Sequence, residues 1–158
     1  LSALLRATGN TEQAKALEVD PDAEKFDRKG YFTGNNLELP PSLEEIRAIF
    51  AQTYGQPAGE AEVDFVPGMN KSLFLMNDRL IRHWLTPREG NLVDRLGKLE
   101  TPEAIARELY LSVLSRLPVE EERGTITDYL SKNEQRKEAA LGDLAWALLN
   151  SAEFRFNH

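Results

Sequence analysis

The stretch "TPEAIARELYLSVLSRL" (101–117) decides the fold. Thr101 offers a hydroxyl to the first free N–H groups of a helix. Pro102 stands at the first helical position, where its missing N–H costs nothing. Ile105, Leu109, Val113, Leu114 and Leu117 then recur at helical spacing and form one apolar stripe. Downstream, "PVEEERGTITDYLSK" (118–132) predicts a second helix with Ile126, Tyr129 and Leu130 inward and Gly124 as its weak point. Glu120, Glu121 and Glu122 lie at its start, where carboxylates favour the positive end of the helix dipole. A third helix is expected from about Glu134 to Leu149, burying Leu141, Leu144, Ala145 and Leu148. Links this short make the three helices spatial neighbours, an antiparallel three-helix unit.

Upstream the pattern is less regular but still helical. A short helix is expected over 91–99, after the break around "TPREGN" (86–91). Ser42 and Glu45 have the spacing of a capping box, followed by Leu43, Ile46, Ile49 and Phe50 on one face and Gly55 as a stop. A Pro/Gly loop, "QPAGEAEVDFVPG" (56–68), leads to an apolar segment from Met69 to Leu85. Residues 1–19 read as helix in one or two pieces, broken at Gly9-Asn10. Between them, 20–41 form a long loop rich in turn formers, where "YFTGNNLEL" (31–39) allows one small hairpin at Gly34-Asn35. Phe26, Tyr31 and Phe32 are the side chains that would anchor this loop. The expected fold is all-α: an irregular helical domain ending in the three-helix unit. Its helical N-terminal segment and loop (1–41) join the main helical part (42–158) in one compact domain.

At 158 residues, with 41% apolar and 28% charged side chains, the chain has enough apolar mass for a folded core. A net charge of -7 argues against broad electrostatic binding to nucleic acid or anionic membrane. No apolar run reaches the roughly 18 residues that cross a bilayer. With no cysteine, disulfides, thiolate metal sites, a catalytic thiol and covalent haem attachment are excluded. The chain opens at Leu1, without a methionine or a signal sequence, as a fragment of a longer protein would.

The strong catalytic signatures are missing from the sequence. There is no dinucleotide fingerprint, P-loop, G-x-S-x-G or H-E-x-x-H. Asp20, Asp22 and Glu24 alternate as in a calcium loop, but Lys25 stands where the glycine is required, so a solvated acidic loop is the better reading. Histidine occurs only as His83 and His158, which supports neither a metal site nor any other cofactor in this segment. The best local candidate is "NDRLIRHWL" (77–85). On a helix, Arg79, Arg82 and His83 share one face and are the candidate anion-binding residues for sulfate, phosphate or carboxylate. The competing reading is a solvated face backed by Leu80, Ile81 and Trp84.

The end of the chain, "DLAWALLNSAEFRFNH" (143–158), resembles "SLFLMND" (72–78) in form: each is an apolar run closed by asparagine and a capping residue. Asn150 is expected to end its helix in the left-handed region. Ser151 then caps a short turn, and Phe154 and Phe156 return to the core. His158 is simply the last residue.

"FVPGMNKSLFLMND" (65–78), "ARELYLSVLSRLPVEEE" (106–122) and "DLAWALLNSAEFRFNH" together resemble the C-terminal part of the planctomycete secreted-domain family, over roughly 43–158. Members are similar in a leucine-rich segment ending L-x-N, a helix ending "LSR-x-P-x-x-E-E" and a final "WALLNS-x-EF". Where relatives carry glutamine and alanine before Leu73, this chain has Lys71 and Ser72. The resemblance implies a large extracytoplasmic parent, periplasmic or secreted, often with an N-terminal cytochrome c domain outside this segment. The family has no established activity, so no catalytic residue is carried over.

Two functions follow. The first is a non-catalytic helical module that packs on upstream domains of its own chain or on a protein partner. The second is part of an enzyme or carbohydrate-binding protein, with an anion site at Arg79, Arg82 and His83. Aromatics of 26–32 lining a concave surface beside that cluster would favour the second, and their burial the first.

Overall fold

A computed structural model describes residues 1–17, 26–54 and 78–157, with Phe156 and Asn157 described by their backbone only. The described part is all-α, and no strand occurs among the described residues. In chain order the helices are α1 (Ser2–Thr8), α2 (Thr11–Lys15), α3 (Arg28–Thr33), α4 (Leu43–Tyr54) and α5 (Arg79–Trp84). They continue with α6 (Leu92–Gly97), α7 (Pro102–Leu114), α8 (Glu120–Lys132), a 3-10 turn (Glu134–Arg136), α9 (Lys137–Leu149) and α10 (Ala152–Asn157).

Local chemistry sets most of the helix starts. Asp27, Ser42, Asp78, Asn91, Thr101 and Ser151 each accept a backbone N–H from the first turn that follows, at 2.8–3.2 Å. Each such bond satisfies a donor that the helix itself leaves free. The expected box at Ser42 is only half formed: Glu45 N–H donates to Ser42 Oγ at 3.2 Å, while the Glu45 carboxylate turns to Arg28 Nε, 3.2 Å away.

Four expectations are corrected. The 31–39 hairpin does not form. Asp27 caps α3 by accepting from Gly30 N–H, and Gly34 (φ 79°) ends that helix, with Asn35 N–H reaching back to Gly30 O at 2.8 Å. The glycine read as a hairpin turn is instead a helix stop. Leu117 leaves the stripe of α7, because the helix ends at Leu114 and Ser115 enters the left-handed region (φ 57°); Leu117 is 57% exposed. In α9 the deepest residues are Ala140, Leu141, Ala145 and Leu149, with Leu144 and Leu148 half-buried, so the helix is rotated relative to the expected stripe. Asn150 ends α9 with ordinary right-handed angles (φ -89°, ψ -4°), its side-chain amide donating to Trp146 O at 2.8 Å.

The core is shared along the described chain. Leu4, Leu5 and Ala7 of α1 join Ile46 and Phe50 of α4, Ile81 and Trp84 of α5, Leu92 and Leu96 of α6, and Ile105, Leu109 and Val113 of α7. Ile126 and Leu130 of α8, Leu141 of α9 and Phe154 of α10 complete it. α7, α8 and α9 pack on one another, α6 packs on α7 and α9, and α10 packs on α7 and α9. The long N-terminal loop is held by a satellite cluster of Phe26, Tyr31 and Ile49.

The break at Gly9 is where the N-terminal helices join the rest. Gly9 has φ 72°, and a Cβ there would lie 2.9 Å from the Arg95 guanidinium and 3.2 Å from the backbone of Asn91 and Leu92. Next to it, Asn10 is 1% exposed and its amide donates to Thr8 O and Trp84 O, both at 3.1 Å. Asn91, also buried, donates to the same Trp84 O at 3.3 Å and to Thr86 O at 2.7 Å. Two asparagines thus satisfy the last carbonyl of α5, Trp84 O, and Asn91 also satisfies Thr86 O just beyond it. The expectations for Asp20, Asp22, Glu24 and Lys25, for Gly55, for the 56–68 loop, for "SLFLMND" up to Asn77, for the Phe156 side chain and for His158 lie outside the described residues.

Three substitutions test this fold by urea denaturation. Gly9→Ala forces a left-handed alanine against Arg95 and lowers stability by about 1–2 kcal/mol. Gly124→Ala, with open space around its Cβ position in mid-helix, raises stability by about 0.5–1 kcal/mol. Phe154→Ala empties a buried site and lowers stability by about 3–5 kcal/mol.

Candidate functional site

The three residues expected to share an anion site begin on one short helix, α5, but their side chains part. Arg79 lies with its guanidinium carbon 4.7 Å from the centre of the Tyr31 ring and donates to Asn36 O at 2.6 Å. Tyr31 is itself buried, and its hydroxyl donates to Asp78 Oδ1 at 2.7 Å. Burial pushes the Asp78 carboxyl up, against the Tyr31 hydrogen bond, and burial followed by Asp78 pushes the Tyr31 hydroxyl up. Asp78, Arg79 and Tyr31 therefore fasten α3 and its loop to α5.

His83 turns the other way. Arg88, a donor only, lies 2.8 Å from His83 Nε2, so that nitrogen is the unprotonated acceptor of the ring. The same guanidinium donates to His83 O at 2.9 Å and to Asn10 Oδ1 at 3.1 Å. Burial and then the Arg88 charge hold the His83 pKa below its usual range. Arg82 is exposed, and its guanidinium has no hydrogen-bond or ion-pair partner among the described residues. The three do not converge: two tie parts of the fold together, and one remains for solvent or a ligand. Of the aromatics of 26–32, Phe26 and Tyr31 are buried, at 9% and 5%, and Phe32, at 39%, is exposed.

A dense polar constellation lies elsewhere, on residues of "LSRLPVEEE" (114–122) and "NSAEF" (150–154). Arg116 follows the left-handed Ser115 at the end of α7. It makes two hydrogen bonds to Glu122 of α8 (Nη1 to Oε2 at 2.8 Å, Nη2 to Oε1 at 2.7 Å) and two to Glu153 of α10 (Nε to Oε1 at 2.6 Å, Nη2 to Oε2 at 2.7 Å). Its guanidinium also stands 5.0 Å from the centre of the Tyr110 ring. Glu122 Oε2 accepts from Val119 N–H at 2.8 Å as well, which fixes the start of α8. Only a planar guanidinium presents donors in this fork; a lysine could not hold both carboxylates in two-point contact. Hydrogen bonds from Arg116 hold the Glu122 carboxyl down at about 2 and lower that of Glu153.

The signal for this clamp was present in "LSRLPVEEE" and "NSAEF", but no local rule pairs Arg116 with a carboxylate 37 positions away. Chemically, the clamp has its donors saturated, which suits holding helices and not turning over a substrate. Among the described residues no group of three or more His, Asp or Glu stands together to hold a metal ion, and no helix is long and apolar enough to cross a membrane. Comparison with known families, curated proteins and solved structures finds no match to this chain.

The clamp sets an acid limit. Glu122 is held below its usual value of 4.5 in the folded state, so its contribution to stability is complete above about pH 4.5 and is lost as pH falls toward about 2. Urea midpoints measured across that range should fall, and Arg116→Met should flatten the fall while lowering the midpoint at neutral pH. Arg107→Met, which removes an exposed arginine without such bonds, should change neither.

Proposed function

We infer that this chain is a non-catalytic helical module of a larger extracytoplasmic protein, built to pack on upstream domains of that protein or on a partner. The single observation that carries this reading is the use made of the motif residues. Arg116, Glu122, Glu153 and Phe154, which carry the resemblance to the planctomycete secreted-domain family, meet in one clamp and its adjoining core. Residues that define a resemblance at an active site would be expected to face a cleft with unsatisfied groups. Here they are spent on each other. The burial of Phe26 and Tyr31 supports the same reading, because it removes two of the three aromatic surfaces that a carbohydrate site beside α5 would need.

A second reading, an anion site on α5, is supported by the unpartnered guanidinium of Arg82 alone, since Arg79 and His83 already have internal partners. Titration with sulfate should then shift the resonances of Arg82 in a salt-sensitive way and leave Arg79 unmoved.

The leading reading is tested by binding in trans. The chain is mixed with the separately produced upstream part of its parent polypeptide, followed by calorimetry and by assay against ester, peptide, phosphate-ester and glycoside substrates. One-to-one association without turnover is expected. Turnover that survives purification and is lost on substituting Arg82 would replace this reading with the enzymatic one.

A further inference from the structure

The groove between α5 and α9 is lined by residues that neither the clamp nor the asparagine pair uses. One wall is a face of α9, on which Glu138, Gly142 and Trp146 follow one another at intervals of four. At 1.5 Å per residue that face runs about 12 Å from the carboxylate to the indole. The other wall is Arg82 with Leu85, Thr86 and Pro87, and the groove, open to solvent along its length, has a volume of about 610 Å³. Gly142 sets the depth: a Cβ there would already touch Leu85 O at 3.4 Å, so a larger side chain would fill the groove.

Its charges are arranged in a definite way. Asp143 at the rim is already held by Arg136 at 2.5 Å and by the Tyr129 hydroxyl at 3.0 Å. Arg82 and Glu138, one on each wall, have no hydrogen-bond or ion-pair partner among the described residues. Leu85, Pro87, Ala139 and Trp146 give the same groove an apolar lining.

We propose that this groove binds a short extended segment of a partner polypeptide, in which an apolar side chain is flanked by one acidic and one basic residue. An extended chain advances about 3.3 Å per residue, so a face of about 12 Å takes three or four residues. The apolar side chain covers Trp146, the carboxylate meets Arg82, and the ammonium meets Glu138. A purely acidic segment would be repelled by a chain of net charge -7, and a purely basic one by Arg82, whereas a segment carrying both signs is repelled by neither. The proposal rests on reading the chain as an interaction module, and names the chemistry of its partner.

The test uses the isotope-labelled chain and three capped tripeptides: acetyl-Lys-Leu-Asp-amide, acetyl-Asp-Leu-Lys-amide and the uncharged acetyl-Gln-Leu-Asn-amide. One of the charged peptides should produce saturable shifts at the Trp146 indole and Gly142 amide, with the uncharged peptide bound about fivefold more weakly, as expected for two exposed ion pairs. Arg82→Gln and Glu138→Gln should each remove part of that preference. Gly142→Leu should abolish binding with the helical circular dichroism unchanged; if it unfolds the chain, the Arg82→Gln/Glu138→Gln double variant carries the test. Absence of shifts at millimolar peptide, or equal binding of the uncharged peptide, overturns the proposal. Mass spectrometry of the recovered peptide separates the two readings: an intact peptide with no shifts sinks the groove alone, whereas a cleaved peptide sinks the non-catalytic reading.

Discussion

Arg116 is the constraint on which the C-terminal half depends. It sits where α7 ends, and its guanidinium reaches carboxylates on two helices that follow at very different distances in sequence. Two-point contact with Glu122 fixes the angle at which the chain re-enters a helix after Pro118. Two-point contact with Glu153 fixes the return of α10 after α9. Because all three side chains are roughly a third exposed, the gain from charge alone is modest in water. The larger effect is geometric: the clamp seats α10 so that Phe154 enters the core, and a buried aromatic is worth about 1.5–3 kcal/mol by its apolar area.

The N-terminal part depends on a different device. There the chain is joined to the bundle through backbone carbonyls. Asn10 and Asn91 share Trp84 O, and Arg88 binds Asn10 and the carbonyl and ring of His83. A buried amide without partners is costly, so these bonds specify one docking position for α1 and α2. Gly9 makes the approach possible by lacking a side chain where Arg95 and α6 pass. Apolar contacts from Leu4, Leu5 and Ala7 then join α1 to the main core.

These two devices bear on function by exclusion of roles. Two of the three candidate residues of α5 are engaged within the fold, Arg79 on Tyr31 and His83 with Arg88, and so are Arg95, with Glu108 and Ser112, and Arg116, with two glutamates. Arg82 and Glu138, without a hydrogen-bond or ion-pair partner among the described residues, line the same groove.

The sequence by itself determined the helical class and several helix starts, because caps and apolar periodicity act within one or two turns. Thr101 with Pro102, Ser42, Asn91 and Ser151 are read correctly for that reason. It also placed the break at Gly9 and the burial of Phe154. Tertiary structure decided what local rules do not reach. Whether Gly34 turns a hairpin or stops a helix depended on Asp27 capping upstream and on Tyr31 finding Asp78. The rotation of α9 was set by its neighbours, since a helix rich in Ala and Leu offers several nearly equal stripes. The candidate cluster on α5 came apart for the same reason: helical spacing puts Arg79, Arg82 and His83 on one face, but long side chains go where partners are. Those partners, Asn36, Tyr31 and Arg88, are brought to them only by the folded chain.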